Sequence, residues 1–352
     1  MAPYRSECQS ELSPVVLSAI PTSAMRHDVT MPATTNLTTQ LPGVDLSVAR
    51  LGLGANVFGW TADEASSFAV LDRFTEAGGT MIDTADSYSH WVPGNSGGES
   101  ETTIGRWLAH SGRRNEVIIA TKVGKSPTAP GLSRANITAS IDGSLRRLGV
   151  EAIDLYYAHE DDESVPMEEF LATFDGLVRA GKVRAIGASN FTAERLAEAM
   201  QVSKREGLTP FVALQQHYNL MERPAYEGPL QQVAQTHNLL TFPYFGLAKG
   251  FLTGKYRGTK AQELTGPRAD ASRAYQSPRG DRVLAALDTI AAAHGCSPGC
   301  IALAWLAQQP TVAAPLASAR SVHQLDELLP VLSLTLTGDE IALLDHASGD
   351  QL

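Results

Sequence analysis

Four side chains of complementary chemistry recur at matching places in three segments. Asp83 and Tyr88 lie in TMIDTADSY, Lys122 in VIIATKVG and His159 in IDLYYAHED. Each belongs to the C-terminal end of an apolar, β-branched run that reads as a buried strand. A tyrosine phenol, with an intrinsic pKa near ~10, is a weak acid at neutral pH. A nearby ammonium stabilises the phenolate and eases proton transfer, and Lys122 is the candidate cation. Asp83 would hold Lys122 charged and fix its direction, and His159 would offer a second donor to a developing alkoxide. Singly, each reads as a strand-end cap, a solvated lysine or a core histidine. As a set at the ends of three successive strands, they form a proton-donating site.

The elements that must position this set follow from the hydrophobic pattern. Strand-like runs occupy 48–56, 79–85, 116–123, 152–159, 183–190, 212–219, 239–246 and 311–318. Amphipathic helical segments fall near 62–77, 99–110, 134–149, 168–181, 192–206, 224–236, 282–308 and 321–330. Eight strands each followed by a helix predict an α/β fold, a (β/α)8 TIM barrel over 37–352 with its site at the C-terminal strand ends. A β-hairpin turning at Pro42 and Gly43 precedes it. Ser133 and Thr192 are placed to cap helices, while Gly149 and Gly181 close them. LGLGANVFG (51–59) has Gly52, Gly54 and Gly59, the wrong spacing for a doubly wound dinucleotide fold, so a nucleotide needs another device. Residues 247–281, polar and Gly-rich after the seventh strand, fit a closing flap and a surface excursion equally.

Composition narrows the class. The 352 residues are 43% hydrophobic, enough for a sizeable core, and the net charge is 28 − 38 = −10. No basic run argues for a nucleic-acid partner, and no apolar stretch approaches the ~18 residues of a membrane span. Three cysteines, Cys8, Cys296 and Cys300, give no disulfide framework and fit a reducing, cytoplasmic compartment. Cys296 and Cys300 lack a second ligand pair and read as small residues at a helix start, not as a metal site. The Ser-, Thr- and Pro-rich stretch 1–36 reads as a disordered tail, or as an extended start with Met25 or Met31 the initiator.

Over 37–352 the chain resembles the aldo-keto reductases. GTMIDTADSYSHWVPGNSGGESETTIGRWL is similar to the family signature, and ATKVG, DLYYAHED, IGASNF, LQQHYNLMER, PYFGLAKGFLTGKY and ASARSVHQLDEL follow in the family's order. The resemblance implies NADPH-dependent reduction of an aldehyde or ketone. It implies Tyr88 as acid, Lys122 and Asp83 as its tuners, and His159 orienting the carbonyl. Two further readings stand beside it. One is an NADP(H)-binding regulatory or channel-associated subunit with little turnover. The other is a metal-dependent barrel hydrolase, for which His159 and Asp83 are too few ligands.

A cofactor would use later segments. Ser189, Asn190 and Gln215 carry neutral groups suited to a carboxamide. Tyr244 could stack on a nicotinamide ring. Phe245 and Gly246, where many relatives have Ser and Pro, lead through Leu247 past the pyrophosphate, with Lys255 as a further partner. Ser318 and Arg320 open the last barrel helix, where the Arg320 guanidinium and the helix N-terminus would meet a 2′-phosphate. The resemblance implies that Gln324 and Glu327 contact the adenosine, with Leu328 replacing the usual Asn. Trp60, His90, Trp91 and Tyr226 are the candidate substrate-lining residues.

Overall fold

The computed structural model describes residues 37–45, 47–257 and 267–349. The tail 1–36 with Met25 and Met31, and residues 258–266 of the long loop, lie outside them.

The sheet has eight strands: β1 Gly52–Gly54, β2 Met81–Asp83, β3 Ile118–Val123, β4 Ile153–Ala158, β5 Val183–Ser189, β6 Ala213–Gln215, β7 Leu240–Thr241 and β8 Leu316–Ala317. Every neighbouring pair is parallel. The spatial order β7-β6-β5-β4-β3-β2-β1-β8 follows the chain with β8 returning beside β1. The two outer strands are also tied to each other. Thr241 N donates to Thr311 O at 2.8 Å, Ala313 N to Thr241 O at 2.9 Å, and Leu316 N to Pro243 O at 2.8 Å. The sheet therefore curls until its edges meet, which leaves this eight-stranded sheet no open edge among the described residues.

Side-chain alternation with period two sorts the strands into two layers. Ile118 and Ala120, Leu155 and Tyr157 point to one side, in a cluster with Met81, Ala213, Phe242 and Leu316. Ile119, Val123, Tyr156 and Ala158 point to the other, against the helices. Lys122 shares the parity of Ile118 and Ala120, so it lies on the inner side. The N-terminal hairpin, Thr38–Gln40 paired with Ser47–Ala49, adds Leu41, Val44 and Val48 to the inner cluster. Gly43 makes its turn at φ 80°. The anticipated strand 48–56 is thus two pieces, because residues 47–49 pair in the hairpin and only Gly52–Gly54 joins the sheet.

The helices are α1 Glu64–Glu76, α2 Glu99–Ser111, α3 Arg134–Leu148, α4 Met167–Arg179, α5 Ala193–Glu206, α6 Pro229–Thr236, α7 Pro267–Arg273, α8 Pro278–His294, α9 Pro298–Leu306, α10 Val322–Asp326 and α11 Gly338–Ser348. Ser133 and Thr192 cap α3 and α5 through the amides of Asn136 and Arg195. Three anticipated helices are shorter or divided. The stretch 282–308 breaks at Gly295, which ends α8 at φ 62°; Ser297 and Pro298 then start α9, and the two axes differ by 99°. Gly228 at φ 100° delays α6 to Pro229. The stretch 321–330 keeps only the five residues of α10 before a 3-10 turn at Leu329–Leu332. The long segment after β7 contains a 3-10 turn, Ala248–Thr253, and α7. Among the described residues no single helix is long and apolar enough to cross a membrane.

Candidate active site

The parallel register gathers the strand ends. Asp83 is the last residue of β2, Lys122 the penultimate of β3, and His159 directly follows β4. The Lys122 ammonium donates to Asp83 Oδ2 at 2.7 Å, to the Thr84 carbonyl at 2.6 Å and to the Tyr88 hydroxyl at 3.0 Å. Those three bonds use all its hydrogens, so its position is fully specified. Lys122 is 0% and Asp83 2% exposed, and a buried charge pair is tolerable only when satisfied in this way. Asp83 Oδ1 accepts from Gln215 Nε2 at 2.8 Å, which spreads the anchor to β6. His159 stands edge-on to Tyr88, with ring centroids 6.2 Å apart.

Tyr88 sits on a loop that is held by its own backbone. Its amide bonds to Ala85 O at 3.3 Å, and its carbonyl accepts from Gly98 N at 3.2 Å. Ser89, next in the chain, takes φ 72°, a left-handed conformation that costs a non-glycine residue on the order of 1 kcal/mol or more. Its buried hydroxyl offsets that cost by donating to Phe58 O at 2.8 Å. Asn95 Nδ2 bonds to Gly59 O and Ser89 O from the other side.

The charges are set by burial and by one another. Burial pushes the Tyr88 phenol above its ordinary pKa, Lys122 pulls it back, and Asp83 adds to the rise. The net shift is upward, so Lys122 restrains the phenol without bringing it below the usual range, a weaker tuning than the residue types suggested. Burial lowers Lys122, but Asp83 and Tyr88 outweigh it and the net shift is upward, so it stays an ammonium. Burial and then the charges of Lys122 and Lys125 hold His159 well below the usual histidine range. At neutral pH it is therefore an uncharged imidazole, and its buried Nδ1 has no partner.

The cofactor candidates fall into three groups. Asn190, at φ 58°, joins three strands: Nδ2 donates to His159 O at 2.8 Å and to Ser189 Oγ at 3.1 Å, while Oδ1 accepts from Tyr244 OH at 2.6 Å. Tyr244 stacks on His217, with centroids 5.5 Å apart and planes at 15°, and Phe245 meets it edge-on. Gly246 and Leu247 carry the chain behind these rings; a Cβ on Gly246 would come within 2.8 Å of Leu303. Lys255 is exposed, and its ammonium lies over the neighbouring Tyr256 ring at 5.0 Å. Ser318 donates to Asn56 Oδ1 at 2.7 Å. Arg320 is exposed, and its guanidinium makes no ion pair among the described residues. Its amide bonds to Gln324 Oε1 at 3.2 Å. Arg320 precedes the cap Ser321, so it does not open the helix, and the short α10 provides no helix-terminal anion site. Glu327 is exposed just after α10, its carbonyl bonded to Ser297 Oγ at 2.9 Å. Leu328 is buried, so an Asn there would face the core.

Two aromatic residues rim the site. Trp60 and Trp91 are 36% and 43% exposed and meet edge-on at 5.6 Å; Trp91 lies 6.2 Å from Tyr88 and 5.2 Å from His90. Tyr226 does not belong with them. It is 0% exposed, packs on Tyr218 at 4.9 Å, and its hydroxyl bonds to Thr241 Oγ1 and to Thr311. Its position in a polar loop sequence concealed this, because the residue is held by the end of the 3-10 turn Arg223–Ala225 and by partners distant in the chain.

The sequence-family model described as Aldo/keto reductase family matches residues 50–348. The chain belongs to the aldo/keto reductase family. It is 32% identical to protein tas of Escherichia coli (strain K12) over 333 residues, covering 87% of this chain and 96% of that protein. It is 32% identical to L-glyceraldehyde 3-phosphate reductase of the same strain over 327 residues, covering 88% and 90%. It is also 32% identical to aldo-keto reductase yakc [NADP(+)] of Schizosaccharomyces pombe over 300 residues, covering 82% and 83%.

The site also contains groups that residue types did not announce. The Thr84 carbonyl holds Lys122, and a main-chain acceptor leaves no trace in a sequence. Asn56 and His217 support Ser318 and Tyr244 from neighbouring strand ends; their place at the end of the first and sixth strand runs was the available signal.

Proposed function

We propose that this protein reduces an aldehyde or ketone to an alcohol with NADPH, using Tyr88 as proton donor. The observation that carries the reading is the Lys122 ammonium held between Asp83 and the Tyr88 hydroxyl, beside an uncharged His159, at the ends of the (β/α)8 strands. Bound NADPH would supply the hydride. Tyr88 gives its phenolic proton to the carbonyl oxygen, and Lys122, already 3.0 Å from that hydroxyl, stabilises the phenolate left behind. His159, neutral, donates a hydrogen bond to the same oxygen as negative charge develops. Ser189, Asn190 and Gln215 offer uncharged groups for the carboxamide, held in place by their bonds to one another, to Tyr244 and to Asp83. The Arg320 guanidinium suits a 2′-phosphate because it is exposed and has no carboxylate partner among the described residues. Trp60 and Trp91 favour an apolar, flat substrate.

The test is steady-state turnover with a panel of aromatic, aliphatic and sugar carbonyls, with NADPH and NADH in parallel. We expect oxidation of NADPH with the apolar carbonyls. Arg320→Ala should weaken NADPH roughly 10-fold or more relative to NADH, from the ~1.5–3 kcal/mol of a bond to a charged group. Tight NADPH binding without turnover on any carbonyl would instead indicate the regulatory-subunit reading.

A further inference from the structure

Behind the catalytic strands lies a polar cluster that the reaction itself does not use. Asp86, between Asp83 and Tyr88 in the chain, is 7% exposed, and its Oδ1 is buried without a partner. Glu101 from α2, 0% exposed, accepts from Thr121 Oγ1 at 2.6 Å and pairs with Arg147 of α3 at 2.6 Å. The other cation nearby, Lys122 of β3, is committed to Asp83. From β4, Tyr156 turns a buried hydroxyl without a partner to the same region. Among the described residues, these two buried carboxyl groups thus share one available guanidinium, and Glu101 has taken it. A carboxylate with an undonated oxygen in such surroundings is costly, and a carboxylic acid is not.

The position of Asp86 gives that proton a consequence. Its amide bonds to Lys122 O at 3.2 Å, and its carbonyl packs so closely on Gly97 that a Cβ there would come within 2.9 Å. These are main-chain contacts: they fix the turn leading to Tyr88 at Asp86, so the buried carboxyl group is carried by that turn and its charge acts on it. We propose that Asp86 is a positioning residue that acts as the neutral acid: its proton lets the loop close over Lys122 and set Tyr88, and its ionisation loosens that loop. The inference rests on Tyr88 being the proton donor. Burial and the charge of Glu101 push the Asp86 carboxyl up to about 7, against the pull of Arg147, Lys122 and the Ser87 amide. Because the folded value lies above the unfolded one, the stability Asp86 contributes is full below the ordinary carboxyl range, falls as pH rises, and is lost above about 7.

The experiment compares wild type with Asp86→Asn, which mimics the neutral acid. Both the thermal midpoint and kcat for carbonyl reduction are followed across pH, with the NADPH Kd as control. Wild type should lose stability as pH rises from the ordinary carboxyl range to about 7 and then level off, and should lose kcat as pH passes about 7, while Asp86→Asn shows neither loss and its NADPH Kd matches wild type. The stability arm reads the Asp86 proton without turnover, so it stands even if Tyr88 is not the donor. Superimposable stability profiles would overturn the proposal. So would a flattened stability profile with an unaltered kcat profile, since Asp86 would then not position Tyr88. Should Asp86→Asn fail to fold, Glu101→Gln removes the competing charge and frees Arg147, and both inflections should move to lower pH; unmoved inflections would overturn it.

Discussion

Lys122 shows how little freedom the site leaves a single residue. Its three hydrogens go to Asp83, Thr84 O and Tyr88, so its charge cannot be displaced without breaking a buried bond. Lys122→Met should cut carbonyl reduction at neutral pH by ~10²-fold or more, the usual range for loss of acid–base assistance. Burial already raises the phenol and Lys122 is what restrains it, so the pH at which the reverse alcohol oxidation is half-maximal should move upward. The pH–rate profile checks this, with the thermal midpoint measured alongside because an unpaired Asp83 also weakens the fold. A profile identical to wild type would remove Lys122 from the chemistry. At this scale the sequence displayed the types of Asp83, Tyr88, Lys122 and His159 and the strand ends at Asp83, Lys122 and His159, because strand period and burial pattern fix where a strand ends; Tyr88 follows on the loop after β2. It did not display the net direction of the Tyr88 shift, which depends on how far burial outweighs one ammonium. Nor did it display the burial of Tyr226, which depends on its bonds to Thr241 and Thr311 on later segments.

At the scale of elements, α2 and α3 bring Glu101 and Arg147 behind β3, and they can do so because Gly105 lets them approach. A Cβ at Gly105 would lie 2.1 Å from Arg147 O. Gly105→Ala should therefore destabilise by roughly 1–3 kcal/mol through overpacking, although Ala is the better helix former. Gly176 in α4 meets nothing within 4 Å, and Gly176→Ala should stabilise by up to ~1 kcal/mol. Denaturant midpoints of the pair check the argument, and shifts of the same sign would contradict it. Strands and long amphipathic helices were legible from periodicity. Their ends were less so: α8 and α9 form one apolar run in the sequence, and only Gly295, Ser297 and Pro298 mark the turn between them.

For the whole molecule, the parallel register and the joined edges place Asp83, Lys122, His159, Asn190 and Gln215 at one end of the sheet, although they span 132 residues between Asp83 and Gln215. The hairpin seals the inner cluster with Leu41, Val44 and Val48, so the strand ends bearing the site stand on a filled interior. The alternation of strands and helices made this architecture readable, whereas the meeting of Thr241 with Thr311 and Ala313 is a long-range pairing with no local signal. We propose that this arrangement makes Tyr88 the proton donor of carbonyl reduction, and Tyr88→Phe removes that donor alone. The ring and its packing on Trp91 and His159 are kept while the hydroxyl is lost. Turnover of the best carbonyl substrate should fall by at least ~10²-fold with the NADPH Kd nearly unchanged. Wild-type turnover in Tyr88→Phe would mean that another group donates the proton.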